Sequence, residues 1–169
     1  RYIVVAAGAH SFELIPGLPV MPRRGHLLIT DRTPVRVHHQ LVELGYLKSA
    51  HSMGGASVAF NVQPRPTGQL LVGSSRELVG FDHHINRPLL GRMIERAVEF
   101  VPALSGAGAS RTWIGFRPAT PDSLPLIGHW PAIPGVVIAT GHEGLGITLT
   151  PATAALVVAA ITGTQPPVD

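Results

Sequence analysis

The fold is decided by residues 135–148, Gly-Val-Val-Ile-Ala-Thr-Gly-His-Glu-Gly-Leu-Gly-Ile-Thr. The first six residues predict a short buried strand, and three glycines follow before an apolar helix that should end near Gly163. Glycines let backbone N–H groups approach a ligand closely, and a helix start adds positive potential. The stretch favours a site for an anion, or for a group that becomes anionic. A plain turn between strand and helix is the alternative.

A fixed cation precedes this loop in the sequence. Arg117 lies in Arg-Thr-Trp-Ile-Gly-Phe-Arg-Pro-Ala-Thr-Pro-Asp, residues 111–122, which predicts a strand that runs into a proline-rich loop. Arginine offers a planar fork that matches a carboxylate with two parallel hydrogen bonds. Trp113 and Phe116 could make its pocket partly apolar. The alternative is an arginine that caps carbonyl groups or pairs with Asp122.

Composition excludes several functional classes. Hydrophobic residues make up 45% of the 169 residues and charged residues 14%, which predicts a packed chain of one domain or most of two small ones. The net charge is +3, but the thirteen basic residues include one lysine and no run longer than two, so a nucleic-acid module is not expected. The absence of cysteine excludes disulfides, a thiolate nucleophile and a cysteine zinc site.

The pattern of short elements predicts an α+β fold, in which an antiparallel sheet with a helix is bracketed by two α/β segments. An apolar run at residues 2–6 is typical of a buried parallel strand, which needs neighbours, so we expect the chain to begin inside a larger domain. The predicted strands are 25–31, 35–37, 46–49, 57–63, 69–74 and 110–116, with a hairpin joining 57–63 to 69–74 and an amphipathic helix at 86–101.

The apolar stretch 145–161 is interrupted by Pro151 and threonines, and it barely reaches the length of a membrane span, so a buried helix is the better interpretation. Residues 1–8 form a short β-rich run without the charged start and long apolar core of a secretory signal, so no such signal is expected there. Two histidine pairs, at 38–39 and 83–84, resemble metal ligands, but adjacent side chains on a strand point to opposite faces. No metal site is predicted. Tyr46 and His51 are candidate pocket residues on the antiparallel sheet.

Six segments together resemble the C-terminal half of the D-amino-acid oxidase-like family of FAD-dependent oxidoreductases. This family includes glycine oxidases, D-amino-acid dehydrogenases and the catalytic subunit of hydrogen cyanide synthase. The segments are YIVVAAGAHS (2–11), PRRGHLLIT (22–30), QPRPTGQLLVGSSRE (63–77), GFD (80–82), WIGFRPATPDSLPLIG (113–128) and PGVVIATGHEGLGITLTPATAALVVAAI (134–161).

The resemblance implies a role for each matching residue. Arg117 would hold the substrate α-carboxylate, and the loop after residue 140 would present its amides to the pyrimidine end of the flavin. Gly115 stands where the sarcosine oxidase branch carries a flavin-linked cysteine, which implies non-covalent FAD. The implied cofactor-binding residues are Ala7, Gly8, Gly115, Gly141, His142, Glu143, Gly144, Leu145, Gly146, Ile147 and Thr148.

The resemblance also implies the organisation of the chain. Residues 1–16 would end an FAD-binding domain, 17–118 would form the antiparallel-sheet substrate domain, and 119–169 would complete the FAD-binding domain. The family's Gly-x-Gly-x-x-Gly fingerprint is not in the sequence. We therefore expect a C-terminal fragment that needs an N-terminal FAD-binding segment or a partner subunit, and that alone is inactive and retains no FAD.

The implied function of the intact parent is oxidation of the amine of a small amino acid by hydride transfer to flavin. Glycine, sarcosine, imino acids and D-amino acids all fit an arginine pocket. The alternative is a non-catalytic subunit or interaction module that keeps the fold without flavin. The expected location is the cytoplasm, with membrane association if the protein is a dehydrogenase.

Overall fold

The computed structural model describes residues 1–45 and 55–166. They pack as two compact units. The first contains Arg1–Arg23 and the chain from Arg117 onward, and the second contains Arg24–Phe116. Helices occur together with an antiparallel sheet, which confirms the predicted α+β class.

Some predictions are not tested by this architecture. The candidate pocket residues Tyr46 and His51 lie outside the described residues, and so does the weak strand expected at 46–49. The assignment of residues 1–16, 17–118 and 119–169 to FAD-binding and substrate domains stays a prediction.

A five-stranded sheet with the order β3-β4-β5-β2-β6 runs through the second unit. Its strands are β2 (Met21–Thr30), β3 (Leu41–Val42), β4 (Ser57–Pro64), β5 (Leu70–Arg76) and β6 (Ala109–Ala119). The predicted hairpin is confirmed, because β4 and β5 pair antiparallel with Pro64 opposite Leu70. Its turn contains Gly68 at φ +82°, a left-handed conformation that glycine adopts without strain.

Helix α2 (Arg87–Phe100) packs on β4 and β5 of this sheet. It begins after Asn86, whose side-chain oxygen accepts a hydrogen bond from the N–H of Leu89 at 3.1 Å. Leu89, Met93 and Ala97 recur every four residues and are buried, as the amphipathic pattern predicts. The core of the unit consists of Leu28, Phe60, Val62, Leu70, Val72, Met93, Ala97 and Leu104.

The first unit contains a three-stranded sheet with the order β1-β8-β7. Its elements are β1 (Ile3–Val5), α1 (Ser11–Leu14), β7 (Leu126–His129), β8 (Val136–Thr140) and α3 (Thr150–Thr162). Strand β8 pairs parallel with β1 and antiparallel with β7. Helix α3 packs on β7 and β8 and ends at Gly163, which takes the left-handed conformation common at helix ends.

The strand expected at residues 35–37 does not form. Val35 and Val37 are half-buried against the core of the second unit, but they join no ladder, and the sheet takes Leu41–Val42 instead. The alternation of apolar and polar residues therefore reflected packing against the core without strand pairing.

Strand β1 and helix α3 are more exposed than the sequence predicted. Ile3 is 66% exposed and Val4 43%, because β1 lies at one edge of its sheet, and only Val5 is buried. In α3 only Ala159 is buried, so the prediction of a buried helix was wrong. Across residues 1–45 and 55–166, the helices are too short or too polar to cross a bilayer.

Candidate cofactor site

A cleft of about 440 Å³ opens in the first unit beside the ends of the parallel strands β1 and β8. Open α/β sheets bind ligands beyond the carboxyl ends of such strands. The walls of the cleft combine apolar side chains, hydroxyl groups and glycine backbone. They are formed by Val4, Ala6, Gly8, Pro118, Ala139, Thr140, His142, Glu143, Gly146, Thr150, Thr153, Ala154 and Val157.

The turn after β1 brings main chain to the edge of the cleft. Gly8 has φ +57°, and a Cβ added there would meet nothing within 4 Å. The hydroxyl of Thr140 donates a hydrogen bond to the carbonyl of Gly8 at 2.9 Å. This bond ties together the chain segments that leave β1 and β8, so a ligand can approach the Gly8 backbone at a fixed place.

The loop after β8 is held in a left-handed turn. Glu143 has φ +49°, an uncommon value for a residue with a side chain. Its N–H donates to the carbonyl of Pro118 at 3.0 Å. The strand that carries Arg117 and the glycine loop are therefore in direct backbone contact.

The end of the loop presents backbone donors. Among the described residues, no backbone acceptor takes the N–H groups of Gly144, Gly146, Ile147 or Thr148. These residues lie before Leu149, the N-cap of helix α3, and a helix start contributes partial positive charge nearby. Such donors suit a ligand edge that carries negative charge.

His142 connects the loop to helix α3. Its Nε2 lies 2.9 Å from the hydroxyl of Thr153. Burial lowers the pKa of His142 below its ordinary value, which favours the neutral ring. The loop is thus attached to the helix by a polar contact at the wall of the cleft.

An ion pair links the loop to β2. Nη1 of Arg23 lies 3.6 Å from Oε1 of Glu143, and the two side chains are only 2% and 12% exposed. No local sequence pattern marks Arg23 as a functional residue. Buried arginines are usually paired, but this partner is distant in sequence, so no local pattern revealed the pair.

Arg117 is half-buried near the end of β6 and is not among the residues that line the cleft. The next residue, Pro118, does line it. Gly115, two residues earlier on the strand, is exposed and also lies outside the lining. The structure joins the strand end to the loop through the backbone, and the guanidinium lies outside this cleft.

The cleft brings together part of the predicted cofactor set. Gly8, His142, Glu143 and Gly146 line it. The other predicted residues do not, namely Ala7, Gly115, Gly141, Gly144, Leu145, Ile147 and Thr148. Their roles stay predictions.

Lining residues that the sequence analysis missed follow two simple periods. Val4 and Ala6 precede Gly8 at alternate positions, which is the spacing of one face of an extended chain. Thr150, Thr153, Ala154 and Val157 have the spacing of one helix face. Continuing these two periods from the glycines would have found them.

The two histidine pairs are exposed, as expected of surface histidines. In the part of the chain that the structure describes, no three His, Asp or Glu side chains lie close enough together to hold a metal ion.

Comparison with known proteins gives one consistent result. Residues 1–160 match the DAO family, described as FAD dependent oxidoreductase. The bifunctional protein ThiO/ThiG of Nostoc sp. is 37% identical over 157 residues, which are 93% of this chain and 22% of that protein. The hydrogen cyanide synthase subunit HcnC of Pseudomonas aeruginosa is 31% identical over 161 residues, 92% of this chain and 35% of that protein.

A solved structure extends the match to three dimensions. Glycine oxidase from Geobacillus kaustophilus superposes with a TM-score of 0.80 at 27% identity, covering 99% of this chain and 43% of that protein. The chain therefore spans less than half the length of these proteins.

Proposed function

The chain belongs to the DAO family of FAD dependent oxidoreductases, and on that premise we propose that it supplies part of the FAD site and the carboxylate site of an enzyme that oxidises the amine of a small amino acid. The observation that carries the proposal is the cleft beside the parallel strand ends, together with the adjoining loop, where no backbone acceptor among the described residues takes four of the N–H groups. The substrate class is glycine, sarcosine, imino acids or D-amino acids.

The residues present fit a flavin cofactor. Gly8 leaves open space where a side chain would stand, so a bulky ligand can lie against the backbone. The hydroxyl oxygens of Thr140 and Thr150, whose protons are donated to backbone carbonyls, can accept hydrogen bonds from a ligand, and the loop amides can donate them. Valine and alanine side chains offer an apolar wall. When bound, FAD supplies the acceptor for the two electrons that leave the amine.

The proposed role of Arg117 is to orient the substrate. Its guanidinium is always charged and can hold an α-carboxylate by two parallel hydrogen bonds, which fixes the direction of the Cα–N bond. Half-burial supports this role, because an ionic hydrogen bond gains strength where water is partly excluded. The backbone bond from Glu143 to Pro118 supports it too, because it fixes the strand end relative to the loop.

The protein's share of the chemistry is positioning and electrostatics. The loop amides of Gly144, Gly146, Ile147 and Thr148 would stabilise negative charge at the edge of the cofactor that they face, and Arg117 would hold the carboxylate. Amine that binds in its neutral form needs no general base, so no residue is given that role.

The test is the steady-state kinetics of the complete protein that carries this chain. Arg117→Met should raise the KM for amino-acid substrates by about 100-fold, because it leaves a substrate carboxylate unpaired in a partly buried site. The KM of Arg117→Lys should lie between those of the parental protein and Arg117→Met, since lysine keeps the charge but lacks the planar guanidinium. The matched control is Arg111→Met, because Arg111 is exposed on the same strand. Unchanged KM in Arg117→Met would remove Arg117 from the role.

A non-catalytic interaction module is the second candidate function. Exposed apolar side chains favour it, with Tyr2 49%, Ile3 66% and Ile147 93% exposed. The two candidates differ in colour, because a catalytic flavoprotein shows visible flavin absorption and an interaction module does not.

A further inference from the structure

We propose that Arg23 is a positioning residue for the cofactor loop, acting through the carboxylate of Glu143. The inference rests on the proposed function, because it concerns how the same site is held. It adds a residue from β2 that does not line the cleft and that fixes the direction in which the loop amides point.

The first step is the burial of the pair. The side chain of Arg23 is 2% exposed and that of Glu143 is 12% exposed, with 3.6 Å between Nη1 and Oε1. A guanidinium and a carboxylate at this distance attract strongly where water is excluded. The pair is therefore a firm link, within the first unit, between Arg23 and the loop.

The second step is the backbone conformation of Glu143. A residue with a side chain persists at φ +49° only where its surroundings hold it there. Contacts that help to hold it include the hydrogen bond from its N–H to the carbonyl of Pro118 and the pairing of its carboxylate with Arg23. Each contact restrains a different part of the same residue.

The third step is the place of Glu143 in the loop. It directly precedes the run in which, within the described part of the chain, no backbone acceptor takes the N–H groups of Gly144, Gly146, Ile147 and Thr148. Upstream, Gly141 is confined by Thr120 and Leu126. Glu143 is the last residue before those amides that contacts residues outside the loop. The orientation of Glu143 therefore sets the direction of the amides, and Arg23 sets the orientation of Glu143.

The experiment measures FAD binding by the complete protein that carries this chain. Readouts are the dissociation constant for FAD, the visible spectrum of the bound flavin, and the unfolding temperature of the flavin-free protein. Variants are Glu143→Gln, Arg23→Met, Arg23→Lys and the double Arg23→Met/Glu143→Gln. The matched control is Arg96→Met, which removes the ion pair with Glu43 in the second unit.

Glu143→Gln and Arg23→Met should each weaken FAD binding about tenfold and shift the flavin spectrum. Because the two residues are in contact, the effects of the two substitutions should be coupled. The double variant should bind FAD no more weakly than the single variant with the lower affinity, because both substitutions break the same Arg23–Glu143 pair. Arg23→Lys should restore most of the affinity, and Arg96→Met should leave affinity and spectrum unchanged.

Parental affinity and spectrum in Glu143→Gln would overturn the inference, even with a lowered unfolding temperature, because the pair would then be purely structural. Additive losses in the double variant would also overturn it. If Arg23→Met does not fold, Glu143→Gln and Arg23→Lys decide the matter. A parental protein that binds no FAD would instead remove the proposed function itself.

Discussion

At the scale of single residues, the loop conformation depends most on Gly141. It has φ +83°, and an added Cβ would lie 2.7 Å from Cγ2 of Thr120 and 3.3 Å from the N of Leu126. Two separate reasons therefore require glycine here, a left-handed backbone and a close approach. Gly163 offers a comparison, because it has φ +71° and open space around the Cβ position.

Gly141→Ala should lower the free energy of unfolding by about 3 kcal/mol, from backbone strain and overpacking together. Gly163→Ala should cost about 1 kcal/mol, from strain alone. Denaturant unfolding of the two variants measures the difference. Equal losses would show that Thr120 and Leu126 move aside and that close approach does not fix the loop.

Residue types were easier to predict than side-chain directions. The glycines at 141–146 predicted a loop whose backbone N–H groups a ligand can approach closely, because glycine has no side chain in the way. The sequence could not show that Pro118 lines the cleft while Arg117 does not. Nor could it reveal Arg23, because an ion pair between distant segments leaves no local pattern.

At the scale of elements, a buried polar cluster attaches the start of helix α2 to the sheet. Nε2 of His26 accepts a hydrogen bond from the backbone N–H of Asn86 at 3.0 Å. Its Nδ1 lies 2.7 Å from the hydroxyl of Ser75. The Asn86 side chain donates to Glu77 at 2.7 Å, and Glu77 pairs with Arg24. The histidine must be neutral to accept at Nε2.

This arrangement predicts a pH dependence of stability. Burial, reinforced by Arg24 and opposed by Glu77, lowers the pKa of His26 below 6.5. A lowered pKa means that the unfolded chain takes up the proton first as the pH falls. The stabilisation of the folded state by neutral His26 is therefore complete above pH 6.5, and it is lost as the pH drops from there towards the pKa of His26 in the folded state.

His26→Gln should flatten this part of the pH profile of the unfolding free energy. The measurement compares the free energy of unfolding at about pH 7 with that at about pH 5. His84→Gln is the control, since His84 is almost fully exposed. The pKa of His142 is also lowered, and this histidine contributes equally to the pH dependence of the parental protein, His26→Gln and His84→Gln. A His26→Gln slope as steep as the parental one would contradict the role of the His26–Asn86 bond.

Elements with a strong period were predicted well from the sequence. The hairpin and the amphipathic helix α2 form where expected, because alternation and four-residue spacing are physical consequences of one buried face. Residues 35–37 alternate in the same way but form no strand, since pairing needs a neighbour that local sequence does not supply.

At the scale of the whole molecule, the chain forms two compact units that contain different features. The first contains the cleft, the glycine loop and the Arg23–Glu143 pair, and the second contains most of the five-stranded sheet and α2. Family membership followed from motif order along nearly the whole chain. Substrate identity did not, because a carboxylate site accepts many amino acids and the chain spans less than half the length of its relatives.

The most direct test is anaerobic mixing of the complete, FAD-loaded protein with glycine, sarcosine, D-alanine or D-proline while the visible flavin band is recorded. At least one of these amino acids should bleach the band, because the amine gives up two electrons. Arg117→Met should require far more of that amino acid for the same rate. A protein that holds FAD and stays fully oxidised with every one of them would contradict the proposed amine oxidation.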